Sequence, residues 1–121
     1  MKFIPLCSGS SGNSVYIEAG DQRILVDAGV SCRRLCGLLT EAGGDPGQLI
    51  AILITHEHTD HIKGLAVLSK KYGIPVYANA DTWGALWRLC PGLPPQNACV
   101  FESDEDFYLG KGCIHPFNTP H

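Results

Sequence analysis

The sequence predicts a single α/β layered domain. Three observations point there. Short apolar, strand-like segments alternate with segments of helical periodicity. The most apolar stretch, residues 49–54, is short and bounded by polar residues, which suits a central buried strand. Glycine- and proline-containing turns separate one segment from the next.

Taken in order, residues 2–6 form a candidate strand that runs into Ser8-Gly9-Ser10-Ser11-Gly12-Asn13-Ser14, a loop of small turn-forming residues. Residues 15–18 and 23–26 read as a hairpin around Gly20-Asp21, ending at Asp27-Ala28-Gly29. Ser31 is placed to cap a helix whose apolar face is Leu35, Leu38, Leu39 and Ala42, with Gly43-Gly44 as its stop. After the central strand, residues 62–72 have helical spacing through Leu65, Leu68 and Tyr72. Lys70 and Lys71 favour the dipole of the last turn, and Gly73 closes it. Residues 74–78 read as a strand, 80–89 as a helix and 91–95 as a loop. Short strands follow at Val100-Phe101, 107–109 and 113–117, the last two around a turn at 110–112.

Composition bounds the function. The 121 residues leave room for one domain, and 45% hydrophobic with 17% charged residues is a globular mix. Nine basic against twelve acidic residues give a net charge of −3, which is not the signature of a strongly basic nucleic-acid binder. No apolar run reaches the roughly 18 residues that cross a bilayer. The N-terminus has one basic residue and no long apolar core, unlike a signal peptide. The expectation is therefore a cytoplasmic protein, no membrane association, and free thiols at the six cysteines. Cys32 and Cys36 lie one helical turn apart. With no second pair at zinc-site spacing they read as packing residues.

The informative segment is Thr55-His56-Glu57-His58-Thr59-Asp60-His61, three imidazoles and a carboxylate directly after the apolar strand. A helix would set His56 and His58 about 200° apart, whereas an extended loop puts residues two apart on the same side. His56 and His58 therefore converge on one cation only if the segment is a loop. Asp60 and His61, where the chain turns into a helix, then face a second cation, and Asp60 is also placed to cap that helix. Imidazole nitrogen with carboxylate oxygen suits Zn²⁺, and Mn²⁺ or Fe less selectively. Glu57 is expected to face solvent. Cys7, near the Gly/Ser loop, reads as a buried thiol.

His56-Glu57-His58-Thr59-Asp60-His61 resembles the HxHxDH signature of the metallo-β-lactamase superfamily. The Gly/Ser loop at 8–14, the strand end Leu25-Val26-Asp27-Ala28-Gly29, and Gly64-Leu65 resemble its YycJ/WalJ branch. The resemblance implies an αββα sandwich, of which this chain would be the N-terminal half: a mixed sheet with helices on one face. It implies that His56 and His58 bind a first metal ion and that Asp60 and His61, also the catalytic pair, bind a second. Asp27 would brace the metal loop. His121 would be the third ligand of the first ion, with His115 a weaker competitor. It further implies two divalent ions in the complete enzyme, zinc foremost. A shared water of lowered pKa would attack phosphorus or an acyl carbon, with activity of the DNA-exonuclease kind.

Members of the superfamily are about twice this length. Residues 1–121 are thus expected to be a partial domain cut before its C-terminal half, with the bridging aspartate and last histidine lying beyond it. The sheet face meant for the other half would be exposed and prone to self-association. Arg33, Arg34, Lys63, Lys70 and Lys71 are candidate phosphate contacts. Gly9-Ser10-Ser11-Gly12 reads as a tight turn before a phosphate cradle. No Gly-x-Ser-x-Gly elbow or Ser-His-Asp arrangement is present. Two alternatives stay open: a thioester or small-ester hydrolase on the same fold, and a catalytically silent metal-binding module.

Overall fold

The computed structural model describes residues 2–9, 12–56, 58–101, 107–109 and 112–114. Its centre is a six-stranded mixed sheet in sequential order: β1 (Lys2–Cys7), β2 (Ser14–Ala19), β3 (Gln22–Val26), β4 (Ala51–Leu53), β5 (Val76–Asn79) and β6 (Ala98–Phe101). The first three strands form an antiparallel meander, and β3 through β6 run parallel. A separate antiparallel pair, β7 (Phe107–Leu109) and β8 (Gly112–Ile114), follows.

The parallel crossovers carry α1 (Cys32–Glu41), then α2 (Thr59–Ile62) with α3 (Leu65–Tyr72), then α4 (Ala80–Leu89). Parallel crossovers are right-handed almost without exception. Taken always in the same direction across a sheet, they stack every helix on one face. Leu35, Leu39, Leu65, Leu68, Trp83 and Leu86 from these helices share one core with the sheet. Its spine is a rank of paired residues crossing all six strands, Ile4–Tyr16–Leu25–Ile52–Val76–Ala98. Four of these side chains, Tyr16, Leu25, Ile52 and Val76, are essentially fully buried.

The opposite face has two further ranks, Phe3–Ile17–Ile24–Ala51 and Val15–Val26–Leu53–Tyr77–Cys99. The cluster on this side contains residues of β2 to β5 and Ile50, and no helical residue. Phe3 is exposed, and Ile17, Leu53 and Tyr77 are half-buried.

The helix caps follow the side-chain chemistry. Ser31 Oγ accepts from Arg34 N–H at 3.3 Å and Asn79 Oδ1 from Thr82 N–H at 2.8 Å. Three expectations need correction. The helix foreseen over 62–72 is two helices, broken at Lys63-Gly64, because Gly64 is pinned by its N–H to Ala28 O at 2.8 Å. The strand foreseen over 49–54 pairs only at Ala51–Leu53. Leu49 instead ends a 3-10 turn, and Ile54 makes the last bond to β5, its N–H to Tyr77 O at 2.9 Å, before the next loop. Asp60 does not cap α2: His58 holds the N-cap position and Asp60 lies inside the first turn.

Candidate metal centre

The site lies where ligands gather in parallel sheets, at the carboxyl ends of adjacent strands, here β3 and β4. Asp27, directly after β3, is buried, and its backbone takes a left-handed φ of 64°. A non-glycine residue there carries a cost of about 1–2 kcal/mol, which its neighbours offset. Its N–H donates to Leu53 O at 2.7 Å, and its carbonyl accepts from Ser14 Oγ at 2.8 Å. The turn aims the carboxylate into the loop after β4. There Oδ1 accepts from Thr55 N–H at 2.8 Å, and Oδ2 accepts from Thr55 Oγ1 at 2.6 Å and from His61 Nδ1 at 2.7 Å. A carboxylate has no proton to give, so His61 donates from Nδ1.

Residues 54–56 and 58 lie outside any helix, so the loop geometry needed for convergence is present. The His56 and His58 ring centroids stand 5.9 Å apart and those of His56 and His61 4.8 Å apart. The loop is tied to the body by Ala28 N–H to His61 O and turned on itself by His61 N–H to His58 O, both 2.8 Å. The structure therefore brings together Asp27, His56, His58 and His61. Asp60 lies in the first turn of α2, and its carboxylate lies outside the described part of the structure, as do Glu57, His115 and His121. Among the described residues, no three His, Cys, Asp or Glu side chains form a complete ligand cluster.

The Gly/Ser loop supports this corner from the side. Gly9 N–H donates to Asn13 Oδ1 at 3.2 Å and Asn13 Nδ2 to Gly9 O at 3.0 Å, a closed tight turn. Ser10 and Ser11 lie outside the described residues. A Cβ on Gly12 would sit 2.8 Å from Gly29 O, so only glycine lets this loop pass over the strand end. Cys7 packs against the main core, and burial pushes its thiol above the ordinary range, against the pull of Arg34. Cys32 and Cys36 pack there too, with Cys36 Sγ 3.8 Å from Tyr72 Oη. Arg33, Arg34, Lys63, Lys70 and Lys71 are all exposed. One residue of the site escaped the sequence reading, Thr55. A threonine entering a loop carries no signal of its own, and only the position of Asp27 gives its hydroxyl a task.

The described site is thus an α/β half-layer with imidazoles gathered beyond the ends of β3 and β4 and a buried carboxylate behind them. The chain belongs to the metallo-beta-lactamase superfamily, whose model matches residues 8–98. It is similar to the protein named exodeoxyribonuclease WalJ of Streptococcus pneumoniae serotype 2 (strain D39 / NCTC 7466), 53% identical over 122 residues, covering 99% of this chain and 45% of that protein. It is likewise similar to the protein named exodeoxyribonuclease YycJ of Bacillus anthracis, 38% identical over 121 residues, covering 100% of this chain and 46% of that protein. The chain thus spans about half the length of these curated relatives. Among solved structures, a B3 metallo-beta-lactamase with an active-site glutamic acid superposes with a TM-score of 0.75 at 23% identity, over 93% of this chain and 48% of that one. That likeness fixes the fold.

Proposed function

We propose that the loop carrying His56 to His61 holds divalent metal ions and that the chain forms the metal-loop half of a hydrolase cutting phosphodiesters, a DNA exonuclease. In this reading His56, His58 and His121 bind one ion, Asp60 and His61 bind the second, and Asp27 orients the loop. The observation that carries it is the trio of imidazoles with centroids 4.8 and 5.9 Å apart, backed by a buried carboxylate. The donor chemistry fits: imidazole nitrogens beside a carboxylate suit Zn²⁺, or Mn²⁺ and Fe less selectively. When bound, such ions supply Lewis acidity and lower the pKa of water.

The chain's own residues do the arranging. Asp27 keeps the His61 proton on Nδ1, Asp27 and Thr55 fix the loop to β3, and Gly12 keeps the neighbouring loop close over it. The names of the two relatives, over nearly all of this chain, support DNA as the substrate. Among the described residues, no helix is long and apolar enough to cross a membrane, and five cysteines are free. Free thiols support a reducing, cytoplasmic setting. The sheet face that carries no helix among the described residues supports self-association of the 121-residue chain, with a second copy laid over the ranks of Ile17 and Tyr77.

The test is metal content per purified chain, followed by hydrolysis of linear double-stranded DNA with added Mn²⁺ or Zn²⁺. Bound metal, with cleavage lost in His58→Ala, supports the reading. A chain that binds none of these ions overturns it, and metal held without cleavage overturns the hydrolase half. Light scattering is expected to show a dimer that Ile17→Lys converts to monomer. A wild-type monomer at high concentration removes the self-association.

A further inference from the structure

Two of the three rings in the loop are reached by the same carboxylate oxygen, one directly and one through a hydroxyl. Asp27 Oδ2 lies 2.7 Å from His61 Nδ1 and 2.6 Å from Thr55 Oγ1, and Thr55 Oγ1 lies 2.9 Å from His56 Nδ1. A threonine hydroxyl has one proton and two lone pairs. The carboxylate accepts only, so that single proton points at Asp27. The side of Oγ1 facing His56 is then a lone pair, and a contact of 2.9 Å is a hydrogen bond only if His56 donates. The proton of the neutral His56 ring is therefore on Nδ1, and Nε2 is its unprotonated nitrogen.

We propose that Thr55 is a positioning residue: as a hydrogen-bond bridge between Asp27 and His56, it locks His56 into the Nδ1–H tautomer and presents Nε2 to the site. One buried carboxylate thereby sets two rings at once, His61 by direct contact and His56 at one remove. The backbone N–H of Thr55 on Oδ1 of the same carboxylate fixes the residue so that its hydroxyl has one orientation. Partners of this kind fix the tautomer and ring orientation of metal-binding histidines and raise their basicity. Losing one typically lowers metal affinity about 10–100-fold. The inference rests on the reading of the loop as a metal site, but the tautomer itself is a property of the metal-free chain.

The experiment uses the ¹⁵N-labelled 121-residue chain without metal, as wild type, Thr55→Val and Thr55→Ser. Valine keeps the branched shape and the backbone N–H bond, and serine keeps the hydroxyl. Long-range ¹H–¹⁵N spectra report which ring nitrogen of His56 is protonated, and competition with a chromophoric chelator reports Zn²⁺ affinity. Wild type and Thr55→Ser are expected to show Nδ1–H at His56. Thr55→Val is expected to lose that preference, with His61 unchanged, and to bind Zn²⁺ about 10–100-fold more weakly. Retention of the Nδ1–H form with unaltered affinity in Thr55→Val overturns the proposal. In the wild type alone, a nuclear Overhauser contact between the His56 Nδ1 proton and Thr55 Hβ is required, and its absence overturns it even if Thr55→Val fails to fold. A tautomer that moves in a chain binding no Zn²⁺ sustains the bridge and removes the metal reading. Zn²⁺ binding with no change of tautomer does the reverse.

Discussion

Replacing Gly64 by alanine tests how tightly the histidine loop is built into the core. A Cβ at this position would stand 2.3 Å from Val30 O, 2.9 Å from Cys32 N and 3.0 Å from Leu35 Cδ1. Two of these three neighbours are backbone, and ordinary contact begins near 3.4 Å, so the chain must open by about 1 Å. Overpacking of this kind costs about 1–3 kcal/mol, and the upper end applies because a helix start cannot rotate away as a side chain can. For a chain of this size that lowers the melting temperature by about 8–12 °C. Gly84 and Gly37 supply the control: both lie inside helices with nothing within 4 Å of the added methyl. Alanine there is expected to raise stability by about 0.5–1 kcal/mol. Urea titration of the three variants at constant m-value reads the differences. The strain also has a route to the site, since Gly64 N–H bonds Ala28 O and Ala28 N–H bonds His61 O. A Gly64→Ala chain as stable as wild type, or shifted in the same direction as Gly84→Ala, would refute the packing argument.

Other substitutions and conditions probe separate features. Asp27→Asn keeps a residue tolerant of the left-handed turn but offers Thr55 and His61 one acceptor atom in place of two. A loss of about 1–3 kcal/mol in urea unfolding, with weaker Zn²⁺ binding in competition titrations, is expected. Trp83→Phe removes the indole N–H that donates to Cys99 O at 2.8 Å, and is expected to lower the urea midpoint by the equivalent of about 1–2 kcal/mol. Burial pushes the Cys90 thiol above its ordinary range, so the folded state favours the protonated form. Its contribution is complete below the unfolded thiol pKa and is lost as pH rises through the higher folded value. The urea midpoint is therefore expected to fall above about pH 9, and alkylation of Cys90 at pH 8.5 to be much slower in native than in unfolded protein.

Several elements could be read from residues alone because local chemistry decides them. Ser31 and Asn79 start helices through their side-chain oxygens, and the run Ala80–Leu89 forms the helix its spacing indicates. The hairpin of β2 and β3 follows from Gly20-Asp21 between two apolar strands. The misses occur where a distant backbone group competes with a local preference. Helical spacing through residues 62–72 says nothing of Ala28 O, which captures the Gly64 N–H and splits the helix. Apolar run length cannot show where a ladder ends: Leu53 O still takes a ladder bond from Asp27 N–H, and beyond it Thr55 N–H turns to the Asp27 carboxylate. At the site, the density of histidines in 56–61 was visible, while the task of Thr55 depends on a carboxylate 28 residues earlier in the chain.

The layout of the sheet also accounts for its uneven faces. A strand order that advances 1-2-3-4-5-6 without reversal, joined by right-handed crossovers, commits all helices to one side. Yet β4 and its neighbours are apolar on both sides: Ile52 and Leu25 face the helices, while Ala51, Leu53 and Ile24 face away from them. Strands of that composition are buried on both faces in stable domains, so the second face calls for a second layer. The curated relatives have about as much chain again as is present here, enough to supply one within a single polypeptide. Among the described residues, no helix lies over those ranks. The one-sided placement of the helices therefore follows from the direction in which the crossovers run, independently of the chemistry of the loop at the far end of β3 and β4.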